Sequence, residues 1–428
     1  MRTIDANTDL SRESIATSAA ARSWELPEPA CPSLATCAAG PDHACVLALL
    51  ALLAALALCP APALADPIPA DSAATASPFF STEDGMLDVS TFMEGRYGFL
   101  PIPFPITEPA VGYGGGVMLA FIDKPRAAAQ AGFGRPNISL LGGLATENGT
   151  WMTLLADIRY WRKDRLKTLV AGATGSLQLD FGGIGTETGG DRPLLHYELQ
   201  PDFLTLQGMQ RLGTTRMWAG LRYAFGSSEV TFDAPEGTSG IPEQTGRSDV
   251  GSLAPSLIYD ARDNGFTPLK GTYAEFYAGF YRRWLGSDDE FESAEFTGIQ
   301  YLPLGPKLFL GLRADARKMA DEAPFYVLPY VEMRGVPAVR YQGRIVAQAE
   351  LEMRWQCLGR WSVVGFAGTG TAALESGQLG DAHSVQAGGV GFRYELARRF
   401  GIHAGMDVAW GPDQPAFYFQ TGSAWGRP

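Results

Sequence analysis

The chain is 428 residues long, 46% hydrophobic and 19% charged, which allows one large domain or two to three ordinary ones. Its formal net charge of −12 argues against a nucleic-acid partner, whose phosphates are bound by clustered Lys and Arg. Of the five cysteines, Cys31, Cys37, Cys45 and Cys59 precede residue 66 and only Cys357 follows, so no internal disulfide framework is expected beyond that point.

In chain order, the first feature is ACVLALLALLAALALCPAPALA, whose apolar run from Val46 to Leu58 ends in the small-residue pattern Ala63-Leu64-Ala65. This predicts a signal peptide over 1–65, with an over-extended start, cut before Asp66. The run is shorter than the roughly 20 residues of a spanning helix, and no later segment comes closer, so membrane residence would require strands. Residues 66–96, which contain DPIPADSAATASPFFSTEDG, read as a flexible periplasmic segment, too short for a domain of about 50 residues or more.

From residue 97 onward the chain alternates in hydrophobicity in segments of about ten residues bounded by Gly, Pro, Asp or Asn, the pattern of strands. In WMTLLADIRYWRKDR, Met152, Leu154, Ala156, Ile158 and Tyr160 share one face and Thr153, Asp157 and Arg159 the other. In GTYAEFYAGFYRRW, Ala274, Phe276, Ala278 and Phe280 oppose Tyr273, Glu275, Tyr277 and Tyr281. Further on, Leu308, Leu310 and Leu312 oppose Arg313, Asp315 and Arg317, and Leu351 and Met353 oppose Gln348, Glu350, Glu352 and Arg354. Arg393 and Glu395, and then Asp407 with His403, fall on the same kind of polar face.

Segments of this length match the 9–11 residues that cross a bilayer at a tilt better than the 5–6 of a soluble sandwich strand. Tyr160, Trp161, Trp284, Trp355, Trp361, Trp410 and Trp425 gather near segment ends, as in the aromatic girdles of membrane barrels. The fold expected is all-β: a transmembrane antiparallel β-barrel over 97–428, monomeric, with a lumen lined by Arg313, Asp315, Arg317, Glu350, Arg354, Arg393, Glu395 and Asp407.

Fifteen strand centres fall near 117, 141, 156, 173, 204, 220, 256, 277, 297, 313, 350, 365, 391, 406 and 420. Single-chain bacterial barrels hold an even number, so YGFLPIPFPITE supplies a sixteenth, from Tyr97 to Ile106. Pro101, Pro103 and Pro105 recur there at period two, which places all three missing N–H groups on one edge. That edge would pair weakly with the final strand, Phe417 to Trp425, and leave a seam.

Turns alternate short and long, with long connections at 181–195, 226–249, 321–344 and 373–384; barrels keep long loops outside and short turns in the periplasm. Two periplasmic turns, 123–136 and 261–271, are longer than this rule expects.

Several pieces of the second half resemble the BamA/TamA-type outer-membrane barrels, also called bacterial surface antigens. YDARDNGFTPLKG, 259–271, is similar to that family's turn, through Asp260, Arg262, Asp263, Asn264, Pro268 and Gly271; MRGVPAVRY, 333–341, is similar to its Arg-Gly loop; ELEMRW, VGFAGTG and GGVGFRYEL complete the likeness. The resemblance is dense from about 250 to the end. It implies that the loop folds into the barrel so that Arg334 meets Glu352, with Gly335 allowing a tight loop tip. Two departures stand out: Val336 follows Arg-Gly in place of an aromatic, and Gly368 occupies a position where the family carries an acid.

The resemblance implies insertion or translocation of outer-membrane proteins or lipid through a weak first-to-last strand seam. A passive pore, or a structural surface antigen without transport, is the alternative. Expected partners are outer-membrane lipid, nascent outer-membrane proteins and a periplasmic protein. No motif calls for a metal or cofactor, and neither His-Glu-x-x-His nor Gly-x-Ser-x-Gly occurs, so an enzyme is not expected; His403 with Asp407 is the one pair that could be checked.

Overall fold

The computed structural model describes residues 77–95, 98–108, 110–123, 136–181, 195–232, 244–320, 322–379, 384–413 and 415–426. The expected signal peptide, and the segment up to residue 76, lie outside them. After a one-and-a-half-turn helix, α1 (Ser90–Gly95), the chain runs as β1 (Phe99–Glu108), β2 (Gly112–Asp123), β3 (Asn137–Thr146), β4 (Trp151–Trp161), β5 (Leu166–Phe181), β6 (Leu195–Arg211), β7 (Met217–Phe232) and β8 (Gln244–Asp260). It continues as β9 (Gly271–Tyr281), β10 (Phe291–Pro303), β11 (Leu308–Met319), β12 (Ile345–Leu358), β13 (Trp361–Ala373), β14 (Ser384–Ala397), β15 (Ile402–Trp410) and β16 (Ala416–Thr421). Each strand pairs antiparallel with the next, so chain order is sheet order through all sixteen. Every strand centre expected from the alternation lies within one of these strands. Among the described residues no helix is long and apolar enough to cross a membrane, a fact that leaves strand-based crossing untouched.

The period of two sends alternate side chains to opposite faces, and the register keeps like with like. Arg313 faces Glu350 and Asp315 faces Gln348 across β11–β12, and all four are buried inside. One residue along, Leu312 faces Leu351 and both are exposed outside. Val117, Phe121, Leu141, Leu155, Phe276, Phe392 and Phe417 extend that exposed apolar belt, the surface a barrel offers to hydrocarbon.

Four features depart from the sequence expectation. In β4 the face carrying Ala156 and Ile158 is the buried, inner one, whereas Trp151, Leu155 and Trp161 are exposed outside. Both faces of that strand are apolar enough for either orientation, and the outward Asp157 is neutralised by Arg159 at 2.9 Å and by a hydrogen bond from Ser139 at 2.6 Å. Next, β7 and β8 remain paired from Gly226–Val250 out to Phe232–Gln244, so much of the supposed long loop at 226–249 is strand, and residues 233–243 lie outside the described ones.

The last strand is also shorter than expected. It ends at Thr421, where Gly422 at φ 85° turns the chain inward. Trp425 is thereby buried beside Met209, Trp218, Ile258, Tyr273, Ile299 and Tyr301, not in an outer girdle; Tyr160 packs on this inner cluster as well. Finally, where a flexible stretch was expected over 66–96, residues 77–95 lie folded against the barrel, with Met93 fully buried on Leu100, Ala120, Ile122, Phe400 and Ile402.

Candidate functional site

The loop between β11 and β12 folds back into the barrel. Val331, Met333, Val336 and Tyr341 bury against Val346, Ala372, Val385 and Ala387 on the inner faces of β12, β13 and β14, so Val336, the departure from the family aromatic, is an apolar anchor only 3% exposed. At the loop tip the Arg334 guanidinium lies 2.6 Å from Asp407 Oδ2 and 2.8 Å from Glu352 Oε2. The first contact is a hydrogen bond; the second is close but out of line for one. The same guanidinium stacks on the Phe366 ring, 3.6 Å from its centroid, a cation–π contact that grows in strength as water is excluded. Arg393 completes the cluster with two bonds to Asp407, at 2.5 and 2.9 Å.

Gly335 sits at φ 89°, a conformation that side chains disfavour, and a Cβ there would fall 3.1 Å from the Trp410 carbonyl. Its N–H donates to Tyr418 Oη at 3.0 Å. One two-residue tip thus touches β12 through Glu352, β13 through Phe366, β15 through Asp407 and β16 through Tyr418.

Glu352 is therefore where the sequence placed it. Asp407 is a second partner that sequence reasoning assigned only to the lumen lining; the available signal was its parity on β15. Both of its oxygens are engaged by arginines, which leaves no His403–Asp407 pair for catalysis. Gly368, the missing family acid, has a spatial reason: a Cβ there would lie 2.7 Å from Glu350 Cγ and 2.9 Å from Met333 Sδ.

A neighbouring cluster fixes the loop stem. Arg313 bridges Asp315 at 2.6 Å and Glu350 at 3.0 Å, and Arg317 reaches Glu332 at 2.6 Å. Gln348 holds the Glu332 backbone from both sides, accepting from its N–H at 2.7 Å and donating to its carbonyl at 2.9 Å. Arg354 is buried with its guanidinium over the Phe309 ring. Glu395 stands apart from these, near the short turns, where it accepts from Arg398 at 2.9 Å.

The seam lies between β1 and β16. Gly98 accepts from the Ile122 N–H at 3.0 Å, so the even-numbered residues of β1 point their backbone toward β2 and Pro101, Pro103 and Pro105 point theirs away. Among the described residues no ladder joins β1 to β16. Thr107 Oγ1 accepts from the Phe417 N–H at 3.0 Å and donates to the Phe417 carbonyl, a side chain standing in for backbone pairing.

At the short-turn end, the 261–270 turn is long because it reaches inward. Arg262 grips Asp260 through two bonds of 2.9 and 3.0 Å, and Asp263 accepts from the Leu269 N–H at 3.0 Å. Asn264 donates to the Phe400 carbonyl at 3.1 Å, the Phe266 carbonyl accepts from the Ser423 N–H at 2.7 Å, and Pro268 faces a small cavity shared with Arg354 and Arg393. Gly271 then opens β9.

The 77–95 segment is clamped at the same end: Arg360, fully buried between β12 and β13, binds Asp84 at 2.7 Å and Asp88 at 2.9 Å. The Arg360 hydrogen bond is the main reason the Asp84 carboxyl titrates at about 2, below its usual 3.8.

Comparison with known proteins adds to this picture. Residues 206–321 match the Omp85 superfamily domain. Among solved structures, CdiB from Escherichia coli shares the fold, with a TM-score of 0.53 at 9% identity over 75% of this chain and 61% of that one. That likeness shows a shared antiparallel barrel fold. BamA from Haemophilus ducreyi lacking POTRA domains 1-3 is also similar, at 12% identity and a TM-score of 0.48 over 76% of this chain and 68% of that one. No curated protein matches in sequence. In this barrel the matched domain runs from β6 to just beyond β11, so the loop tip and the seam both fall outside the matched residues.

Proposed function

We propose that this protein resides in the outer membrane of a Gram-negative-type bacterium and inserts or translocates outer-membrane proteins or lipid through lateral opening of the β1–β16 seam. The Arg334-Gly335 tip serves as a latch that holds β12, β13, β15 and β16 as one unit while β1 is free to part from them. The observation that carries this reading is the seam itself. Unpaired backbone facing lipid is expensive, yet three prolines remove donors from the β1 edge and Thr107 supplies the cross-seam bonds described above. A barrel built only to stay closed gains nothing from that arrangement.

Occupation of the lumen by Val331, Met333, Val336 and the inturned Trp425 also fits a plugged insertion barrel better than a passive pore. The test is a reversible lock: Thr107→Cys with Phe417→Cys in a Cys357→Ser background, expressed in cells depleted of the natural protein. Depletion should lower other barrels in the outer membrane or change its lipid content, and the locked variant should rescue only after reduction. Rescue by the oxidised, crosslinked variant would make the seam a mere closure and favour a pore or a structural role.

A further inference from the structure

Residues 79–88 form a small hairpin at the short-turn end. Phe80 and Leu87 pair in an antiparallel bridge, the Ser81 N–H donates to the Met86 carbonyl at 2.9 Å, and the Asp88 N–H to the Phe79 carbonyl at 2.9 Å. Its polar side chains turn to the barrel rim: Asp84 and Asp88 to Arg360, and Glu83 to Arg398 at 3.3 Å. Of its apolar ones, Met86 is half-buried and Phe79 stacks on Phe92 with ring centroids 4.8 Å apart, yet three keep a large exposed surface. Phe79, Phe80 and Leu87 are 41%, 52% and 41% exposed.

The position of the hairpin explains that exposure. Tyr394 Oη donates to the Leu87 carbonyl at 2.7 Å. Tyr394 shares the outward face of β14 with Phe392, and its ring lies 4.8 Å from that of Trp361 on the outward face of β13. Trp361 and Phe392 belong to the exposed belt that meets lipid. The hairpin therefore emerges where the lipid-facing aromatic band reaches the rim. A short element with a polar side held by the protein and an apolar side left bare is suited to the headgroup–acyl boundary, where aromatic rings concentrate and apolar faces sink about 5–10 Å.

We infer that the 79–88 hairpin is a lipid contact: Phe79, Phe80 and Leu87 insert into the periplasmic leaflet and extend the band formed by Trp361, Phe392 and Tyr394. The occupant is bilayer lipid because the patch continues a surface that already faces it; the inference rests on the membrane-barrel reading above. Since the same hairpin is fixed through Arg360, the contact anchors the 77–95 segment, whose Met93 packs on Leu100 of β1, to the bilayer beside β13 and β14.

Depth-resolved fluorescence tests this on the full chain in phosphatidylethanolamine–phosphatidylglycerol vesicles. Single cysteines at Phe80, Phe392 and Glu83, each in a Cys357→Ser background, carry an environment-sensitive dye. Nitroxide near the headgroup end of the acyl chain should diminish the Phe80 and Phe392 signals, while aqueous iodide diminishes only that of Glu83. Iodide quenching at Phe80 without nitroxide quenching would overturn the lipid contact. Protection of Phe80 from both quenchers would overturn it as well, by showing protein coverage. Loss of nitroxide quenching at Phe392 would instead bring down the membrane-barrel reading itself.

Discussion

Two stretches of wall flank the seam and are held in different ways. From β1 to β4 the inward positions are Leu100 to Ile106 on β1, Met118 to Ile122 on β2, and the even-numbered residues of β3 and β4, none of them charged. From β11 to β15 the inward positions carry Arg313, Asp315, Glu350, Glu352, Arg393 and Asp407, cross-braced to one another and to the loop. The first wall is joined chiefly by its backbone ladder and by apolar contacts such as Met93. The second adds a web of buried charge. A barrel that opens at the boundary between them has one side stiffened across several strands and one side that can bend strand by strand.

The largest effect expected from breaking this contrast is at Arg334. Arg334→Ala leaves Asp407 with only Arg393 and Glu352 with only the longer Arg393 contact at 3.9 Å, and removing one member of a buried charge pair costs about 3–5 kcal/mol. Unfolding in denaturant, followed by the mobility shift of folded barrel on gels, should move by that amount, and protease should gain access to residues 322–344. No change in either would mean that the web does not stiffen this wall.

Next in size is a paired substitution on the apolar wall. Leu155→Arg faces hydrocarbon and should cost about 2–4 kcal/mol if it sits near the bilayer midplane. Leu154→Arg faces inward and should cost clearly less if water reaches the inner side. Equal penalties would show the inner wall to be as dry as lipid.

A smaller effect belongs to the seam. Thr107→Val removes two hydrogen bonds, each worth about 1 kcal/mol net. The expected result is faster crosslinking of cysteines introduced across β1 and β16 at other positions, with little movement of the global unfolding midpoint. A midpoint shift as large as that of Arg334→Ala would show that the seam is integral to the fold.

The smallest effect is acid release of the 77–95 segment. Asp84 has its carboxyl lowered to about 2 by the Arg360 bond, with Arg398, Asp88, Glu83 and Glu395 as the other charged groups around the clamp. A depressed carboxylate contributes stability that is complete above its unfolded value of 3.8 and is lost as pH falls toward 2. Proteolysis of residues 77–95 by an acid-active protease should therefore rise between about pH 4 and pH 2, and Asp84→Asn should remove most of that dependence.

The strands were legible because alternation at period two survives in nearly every segment, and even the proline-rich first strand followed from parity. The Arg334–Glu352 contact came from the resemblance of the Arg-Gly loop, with period two supplying only the inward face of Glu352. Asp407 was not, since its partner lies 73 residues away and an aspartate on a lumen face has many possible uses. Trp425 misled because an aromatic near a chain end suits a girdle equally well; only the inward turn at Gly422 decides otherwise. In β4 the face with Asp157 and Arg159 also carries Trp151, Leu155 and Trp161, so the pattern gave the period without the direction. The Arg360 clamp was hidden because its acids precede it by more than 270 residues.

The six residues of β16 have a consequence for the membrane itself. A tilted strand needs roughly 9–11 residues to cross hydrocarbon, and its neighbours β15 and β1 have only nine and ten, against sixteen or seventeen in β5 to β8. The apolar wall is thus lowest at the seam. Lipids there must tilt or shorten to keep their chains from contact with water, a hydrophobic mismatch that costs fractions of a kcal/mol per Å. In the proposed outer-membrane setting, the shape of the barrel would thin the bilayer beside the seam before any strand moves.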